Sequence, residues 1–433
     1  MQQPQNIIEH YLEYVKFTES PYNYHRWCII SGINVLLGRS VYTDHGHSRI
    51  FPNSFTLLVG EPASRKSSSI ILTKKLLAEA GYTNFAASKT TRERFFLDLA
   101  GIEISDEPEN KYTSKRPNYD NTTELNLFGE ITDKEPKETF IAADEFTTFT
   151  RIGNMEFFDD LGNMWDWDSE IIPFEDRVKN SKSVKIFQPT INILAGTTSE
   201  NFNRAFPPET LGTGFLSRLL LIHGKRSGRK YAFPKTPSDE EKAALVSRLA
   251  SIRGNTNSHA PRHVRRSPGG EKLLEEIYLS DNVLADPRFN FFVQRRFTHL
   301  LKLCLTVCAA LGKSEIDEEV AVTANTYLTA AEITMPLAIG EFGKGKLSDV
   351  ADKIVKRLEG ATAPIGIQEL WKVVHKDMNK PTELASIMEG LQLAKRVQLV
   401  TGPRGGFLPY KEPPREAKHV DWSLLTEEER EVV

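Results

Sequence analysis

Apolar positions along this chain recur in two rhythms, and the order in which those rhythms alternate lays out its elements. Ile7, Ile8, Tyr11, Leu12, Tyr14 and Val15 follow a helical period, and a second apolar stretch runs from Trp27 to Leu37 after Pro21. Residues 6–38 therefore read as helices. Ser40–Tyr42 and Phe55–Val59 are short and apolar enough to be strands. The second ends in a glycine. After a short loop, Lys66-Ser67 opens an amphipathic segment carrying Ile70, Ile71, Leu72, Leu76 and Leu77. Further along, the pattern predicts a strand near Phe85, a helix around Phe95, Phe96 and Leu99, and buried strands over Thr139–Ala143, Ile191–Thr197 and Leu219–Ile222.

Two stretches break the rhythm. Residues 101–138 are rich in Asp, Glu, Asn, Thr and Pro and predict a flexible insertion. Gly340 to Gly345 marks a boundary, after which Val350–Leu358, Ile367–His375 and Thr382–Lys395 read as helices. Val397–Val400 and Phe407–Tyr410 then flank a Gly402-Pro403-Arg404-Gly405-Gly406 turn. Three helices and a hairpin predict a winged helix with Arg404 at the wing tip. Its third helix offers few basic residues, only Lys395 and Arg396 at its end, so protein contact or packing competes there with DNA reading. The stretch from Glu412 to Val433 turns acidic and reads as a disordered tail, with Trp422, Leu424 and Leu425 spaced like a docking peptide.

Composition narrows the class. At 433 residues the chain calls for two or three domains of about 100–200 residues each. It is 39% hydrophobic and 26% charged, as expected of a globular protein. No apolar run approaches the ~18 residues of a membrane span, so no membrane partner is expected. The polar start Met1-Gln2-Gln3-Pro4-Gln5 is unlike a signal peptide, which points to the cytoplasm. A net charge of −3 gives no global pull toward nucleic acid, so any such binding has to use local basic patches. Three cysteines suit a reducing compartment; Cys304 and Cys308 share an apolar helix with no further ligands for zinc, and read as core.

The candidate chemistry lies at the strand ends. Gly60-Glu61-Pro62-Ala63-Ser64-Arg65-Lys66-Ser67-Ser68 has the order strand, loop, helix of a phosphate-binding loop. Its backbone N–H groups would cradle the phosphates of ATP, Lys66 would reach the β/γ-phosphates, and the Ser67 hydroxyl would ligate Mg²⁺. Arg65 stands where the pattern asks for glycine; the competing reading is a strand-turn-helix with a snorkelling lysine. Asp144-Glu145 closes an apolar strand, where Asp144 would hold Mg²⁺ and Glu145 would deprotonate the attacking water. Ile191–Thr197 ends in Thr197-Thr198-Ser199, so Thr197 or Thr198 is the candidate γ-phosphate sensor, with Asn201 just beyond. Arg218, before another strand, suits an arginine finger supplied in trans or a strand-edge salt bridge.

In this order the motifs resemble the hexameric replicative helicases of the minichromosome-maintenance and superfamily 3 type, and most of all the phage and prophage P-loop helicases among them. Trp27-x-x-x-Ser31-Gly32, Leu37-Gly38-Arg39, Phe51-Pro52-Asn53 and Leu216-Ser217-Arg218-Leu219 carry the likeness further, over roughly residues 20–340. The minichromosome-maintenance group also lacks the glycine that Arg65 replaces. The resemblance implies an α/β fold with an AAA+ or RecA-like P-loop ATPase core. It divides the chain into N-terminal helices (1–50), the core (51–235, with 101–138 inserted), an α-helical lid (236–342), the winged helix (347–410) and the acidic tail (411–433). It also implies that Arg296 or Arg295 acts as a second sensor, and that Glu175 to Lys185 forms a hairpin tipped at Asn180-Ser181. Arg177, Lys179, Lys182 and Lys185 of that hairpin would grip single-stranded DNA, against the plainer reading of a solvated hairpin. Trp165 and Trp167 fit core better than base stacking.

The expected function is an ATP-dependent, Mg²⁺-requiring DNA helicase of phage or prophage replication, assembled as a homo-oligomer of six subunits and acting on single-stranded or forked DNA beside a separate primase or other replisome protein. The alternative is an ATP-switched helicase loader that does not unwind.

Overall fold

Helix starts and stops in this chain follow its local chemistry. Asn6 caps α1 (Ile7–Tyr14), its side chain accepting the Ile8 N–H at 2.9 Å. Pro21 precedes α2 (Tyr22–Leu37), which is buried along nearly its whole length and ends at Gly38 with φ 51°. β1 (Val41–His45) and β2 (Ser48–Ile50) form an antiparallel pair, followed by β3 (Phe55–Val59), every residue of which is buried. Next come α3 (Lys66–Glu79) and α4 (Arg92–Ala100), the latter capped by Thr91. β4 (Glu138–Ala143) leads into α5 (Phe146–Thr150) and α6 (Met155–Met164). The hairpin β5 (Phe174–Val178) and β6 (Lys182–Ile186) precedes β7 (Thr190–Thr197), α7 (Ser199–Ala205) and β8 (Leu219–His223). Then follow α8 (Asp239–Gly254), β9 (Arg262–His263), α9 (Pro268–Leu279), α10 (Asn290–Leu311) and α11 (Glu318–Ile339).

The computed structural model describes residues 6–102, 135–151, 153–178, 182–206, 214–254, 260–280, 283–284, 286–339, 346–361, 363–378, 380–393, 396–402, 405–409 and 417–433. Most of the expected insertion (103–134), the hairpin tip with Lys179, Lys395, and Arg404 lie outside the described residues. The chain divides into two compact units, Met1–Gly340 with Ala417–Val433, and Glu341–Glu416. Helices α8 to α11, expected as a lid, belong to the first unit with the sheet.

The first unit is mixed α/β and centres on a four-stranded, wholly parallel sheet in the order β4-β7-β3-β8. Near Phe85, where a strand is expected, the chain makes a single parallel bridge to Phe140. A parallel sheet needs both faces covered, and the continuous apolar runs of β3 and β7 reflect that. One face carries a pile of phenylalanines from the sheet and the helices after β4 and β7. Phe55 meets Phe215 at 5.8 Å, Phe215 meets Phe158 at 5.1 Å, and Phe158 meets Phe206 at 4.8 Å between ring centres. The other face meets α2 and α3 through matched polar contacts: Ser31 Oγ donates to Thr56 Oγ1 (3.3 Å), and Asn34 Nδ2 donates to Ser54 Oγ (2.8 Å). Helix α11 packs along the outer strand β8.

The second unit holds α12 (Lys346–Glu359), α13 (Ile367–Val374), α14 (Pro381–Leu393) and an antiparallel hairpin of β10 (Val397–Val400) and β11 (Gly406–Pro409). Ile354, Leu358, Leu370, Val374, Leu384 and Met388 are among the residues of its own apolar core. The residues after it do not run free as their acidity suggests: Leu425 is buried, and α15 (Glu427–Arg430) opens with a capping box between Thr426 and Glu429. Among the described residues no helix is long and apolar enough to cross a membrane.

Candidate functional site

The C-terminal ends of the four parallel strands bring the predicted loop and carboxylates to one edge, where ligands of open parallel sheets bind. Register fixes the neighbours: Val59 lies beside Thr197 and His223, and Ala143 lies beside Ala195. Between Gly60 and α3 the backbone turns through two left-handed residues, Ala63 (φ 61°) and Arg65 (φ 65°). Arg65 thus adopts the conformation that the glycine of the motif would supply, at a cost of about 1–2 kcal/mol. Its guanidinium pairs with Glu19, and its carbonyl accepts the Ser20 hydroxyl at 3.0 Å.

Lys66 is folded back over the loop. Its Nζ donates to the carbonyls of Gly60 (2.8 Å) and Glu61 (2.9 Å) and to Ser64 Oγ (3.2 Å), and the residue is 9% exposed. Burial pulls its pKa down, and the nearby Glu145 carboxylate works against that shift. These acceptors are neutral, so an anionic oxygen presented at the same place would compete well for the ammonium. Beneath the loop sits Tyr24 of α2, which no local sequence pattern marks. Its hydroxyl donates to Val59 O (2.8 Å) and Gly224 O (3.0 Å). A Cβ on Gly60 would stand 2.2 Å from that hydroxyl, and one on Gly224 2.5 Å from the ring, so both glycines are required by the close approach of Tyr24. Burial pushes the Tyr24 phenol well above its ordinary pKa, keeping it a donor.

Gly196 performs the same service between strands. A Cβ there would lie 2.6 Å from the Asp144 carbonyl and 3.5 Å from Lys66 Cβ, which shows how tightly β4, β7 and α3 converge. Asp144 is exposed at this edge and Ser67 partly so. A hydroxyl and a carboxylate form a hard oxygen pair suited to Mg²⁺. Among the described residues no group of three or more His, Cys, Asp or Glu side chains could hold a metal by itself. Glu145 is held from two sides: Thr147 Oγ1 donates to Oε1 and Asn201 Nδ2 to Oε2, each at 3.2 Å. Thr198 caps α7 by accepting the Asn201 N–H at 3.1 Å, and Thr197 is buried. Of the polar groups after β7, it is therefore Asn201 that reaches the carboxylate. The spacing Thr198-x-x-Asn201, a helix cap followed by an inward amide, was the available signal.

The three candidate arginines lie elsewhere. Arg218 precedes Leu219, which pairs with Phe55 at the opposite end of β3. Five strand residues separate the two edges by roughly 16 Å, beyond the reach of one side chain. Arg218 is 8% exposed; it donates to Gly214 O (2.5 Å) and, weakly, to Asp166 (3.4 Å), while its Nε has no partner. Burial lowers its pKa. Arg296 joins α10 to α11, contacting Glu332 (2.8 Å), Asn325 (2.9 Å) and Thr329 (3.0 Å). Glu332 is wholly buried, so this pair is part of the helix packing. Arg295 contacts Asp166 at 2.9 Å.

The expected hairpin forms, with Arg177 opposite Ser183, Val178 opposite Lys182 and Glu175 opposite Lys185. Lys185 is half-buried. The hairpin base is anchored by Arg92 of α4, which bonds Asp176 (3.0 and 3.1 Å) and Asp160 (2.6 Å), and by Phe174 against Phe96 at 5.3 Å. Trp165 is buried, under Lys302 and Arg218. No protein-family model matches the chain, and no curated protein matches it in sequence.

Proposed function

We propose that the protein is a P-loop ATPase of the AAA+ type that assembles into a ring and moves along single-stranded DNA. The observation that carries this reading is the convergence of the 60–65 loop, Lys66 and the Asn201-supported Glu145 at the C-terminal edge of one parallel sheet. In this reading Lys66 leaves the loop carbonyls for the β/γ-phosphate oxygens. Ser67 and Asp144 would hold Mg²⁺, whose charge offsets that of the phosphates when bound. Glu145 accepts the proton of the attacking water, and Asn201 fixes the direction in which the carboxylate points. Arg218 cannot serve the site of its own chain; in this reading it turns from its packed position toward a phosphate on a neighbouring subunit. The three helices and hairpin of the second unit fit a winged helix, and the anchored β5-β6 hairpin fits a DNA-contacting element.

ATP-dependent separation of a forked duplex, with Lys66→Ala as control, tests the reading. Unwinding that disappears in the variant supports a motor. Turnover by an assembled ring without unwinding supports an ATP-switched loader instead, and absence of any Lys66-dependent turnover overturns both.

A further inference from the structure

The segment Ala417–Val433 follows the second unit in sequence yet folds with the first. It lies along α11, where Thr326 Oγ1 accepts the Asp421 N–H at 2.9 Å and Asn325 Nδ2 donates to the carbonyls of Lys418 (3.1 Å) and His419 (2.9 Å). In α15, Glu429 is 6% exposed and takes both arms of the buried Arg26, each at 2.7 Å. The adjacent Glu428 accepts the Tyr22 N–H at 2.9 Å and pairs with Arg229. Arg229 stacks 4.2 Å from the Tyr22 ring centre and donates to the carbonyls of Thr18 (3.0 Å) and Ser20. Ser20 in turn donates its hydroxyl to the Arg65 carbonyl, and Glu19 binds the Arg65 guanidinium while accepting the Tyr231 N–H at 3.0 Å. Ser227 Oγ fixes the Glu19 carbonyl at 2.7 Å.

We propose that Glu428 is a positioning residue for the nucleotide loop, holding Arg65 left-handed through Arg229 and Ser20 and so aiming the N-terminus of α3. A side-chain-bearing residue keeps positive φ only where its surroundings over-determine it, and here the carbonyl and the guanidinium of Arg65 are both bracketed. The segment after β8 that carries Arg229 also touches the loop directly, Arg226 Nη2 donating to Pro62 O at 3.2 Å. Together with α15 it walls a cavity of about 190 Å³ that includes Gly224, Arg226 and Glu428.

The proposal rests on the nucleotide-binding reading of the loop, and two readouts on the full chain separate them: amide hydrogen exchange over residues 62–69, and affinity for a fluorescent ATP analogue with Mg²⁺. Glu428→Gln keeps the Tyr22 contact but removes the charge that orients Arg229. It is expected to speed exchange in that peptide and to weaken the analogue roughly tenfold, the scale of losing one strain-bearing contact. Arg229→Lys, which loses the carbonyl contacts but keeps the charge, gives the same pattern. Both effects should vanish in an Arg65→Gly background, because glycine needs no support at positive φ. Unchanged exchange overturns the positioning role. So do equal effects in both backgrounds, which would mark the segment as a general structural strap. Faster exchange in the variant of a wild type that binds no nucleotide would uphold the positioning of Arg65 and overturn the nucleotide reading alone.

Discussion

The two ends of the parallel sheet are built on opposite principles. At the C-terminal end, Lys66 and Glu145 are held by neutral donors and acceptors that a charged ligand can outbid. At the N-terminal end, cations are locked into packing. Lys302 is fully buried, donating to Phe51 O (2.9 Å), Asn53 Oδ1 (2.7 Å) and Trp165 O (3.2 Å) and lying 4.3 Å from the Trp165 ring centre. Arg39 and Arg218 are buried nearby, each with a guanidinium nitrogen that has no partner. The difference teaches that charge alone does not mark a working site. What distinguishes the candidate site is that its charged groups, held by neutral partners, can change partners without opening the core.

The comparison breaks most sharply if Glu145 proves dispensable. Glu145→Gln preserves the Asn201 contact at one oxygen but removes the proposed base, so turnover should fall on the order of 10³ while nucleotide still binds. Single-turnover hydrolysis and equilibrium binding measured side by side check this, and near-normal turnover would place the base elsewhere. Arg218 comes next, because it belongs by position to the packed end and by proposal to a neighbour's site. Arg218→Ala should cut turnover of the assembled ring on the order of 10²–10³ and leave nucleotide affinity unchanged. Mixing it with Lys66→Ala subunits should restore part of the activity, since each variant then supplies the half that the other lacks. A loss of stability of about 1–3 kcal/mol with no complementation on mixing would return Arg218 to packing.

How much of this was readable from sequence differs between the two ends for the same reason. The loop and the Asp144-Glu145 pair each directly follow an apolar strand, so local order reveals them, and periodicity predicts the strands over 55–59, 139–143 and 191–197. Tyr24 lies more than thirty residues upstream of the loop it supports, and Glu428 more than three hundred and sixty downstream of Arg65, so no local pattern points to either. The tail reads as disordered because its carboxylates look solvated. Glu429 is instead desolvated by Arg26: burial alone would raise its pKa, but the two guanidinium bonds and Thr426 hold it below the usual carboxylate range. Arg296 looks like a sensor because an arginine near a helix start has the right type, whereas its real partner, Glu332, is thirty-six residues away on the next helix. Arg65 replaces a glycine because residues 19 and 20 bracket it, and no motif records that support.

A pH test sharpens the contrast at smaller scale. Burial pulls the Lys302 pKa down to about 7. The unfolded lysine titrates near 10.4, so between these values the unfolded chain binds the extra proton. The contribution of Lys302 to stability therefore rises with pH above about 7, approaching on the order of 1 kcal/mol per pH unit, and falls away on acidification toward 7. Urea unfolding at pH 7 and pH 9 should show this rise in the wild type and a flatter dependence in Lys302→Met. An identical slope in the two proteins would mean that the three acceptors keep the ammonium charged in spite of its burial.

The smallest effect is expected at Arg65→Gly. Glycine removes the left-handed strain at φ 65° but loses the half-exposed pair with Glu19 and makes the unfolded chain more flexible. Relief of about 1–2 kcal/mol of strain is largely offset by the lost pair and the freer unfolded chain, each about 1 kcal/mol or less, so the urea midpoint should shift up only slightly with an unchanged slope. A destabilisation well above about 1 kcal/mol would mean that the Glu19 pair, not the bracketing of the carbonyl, is what keeps this residue left-handed. Nucleotide affinity should then fall in Glu19→Gln as well, and the loop would depend on a surface ion pair that added salt weakens.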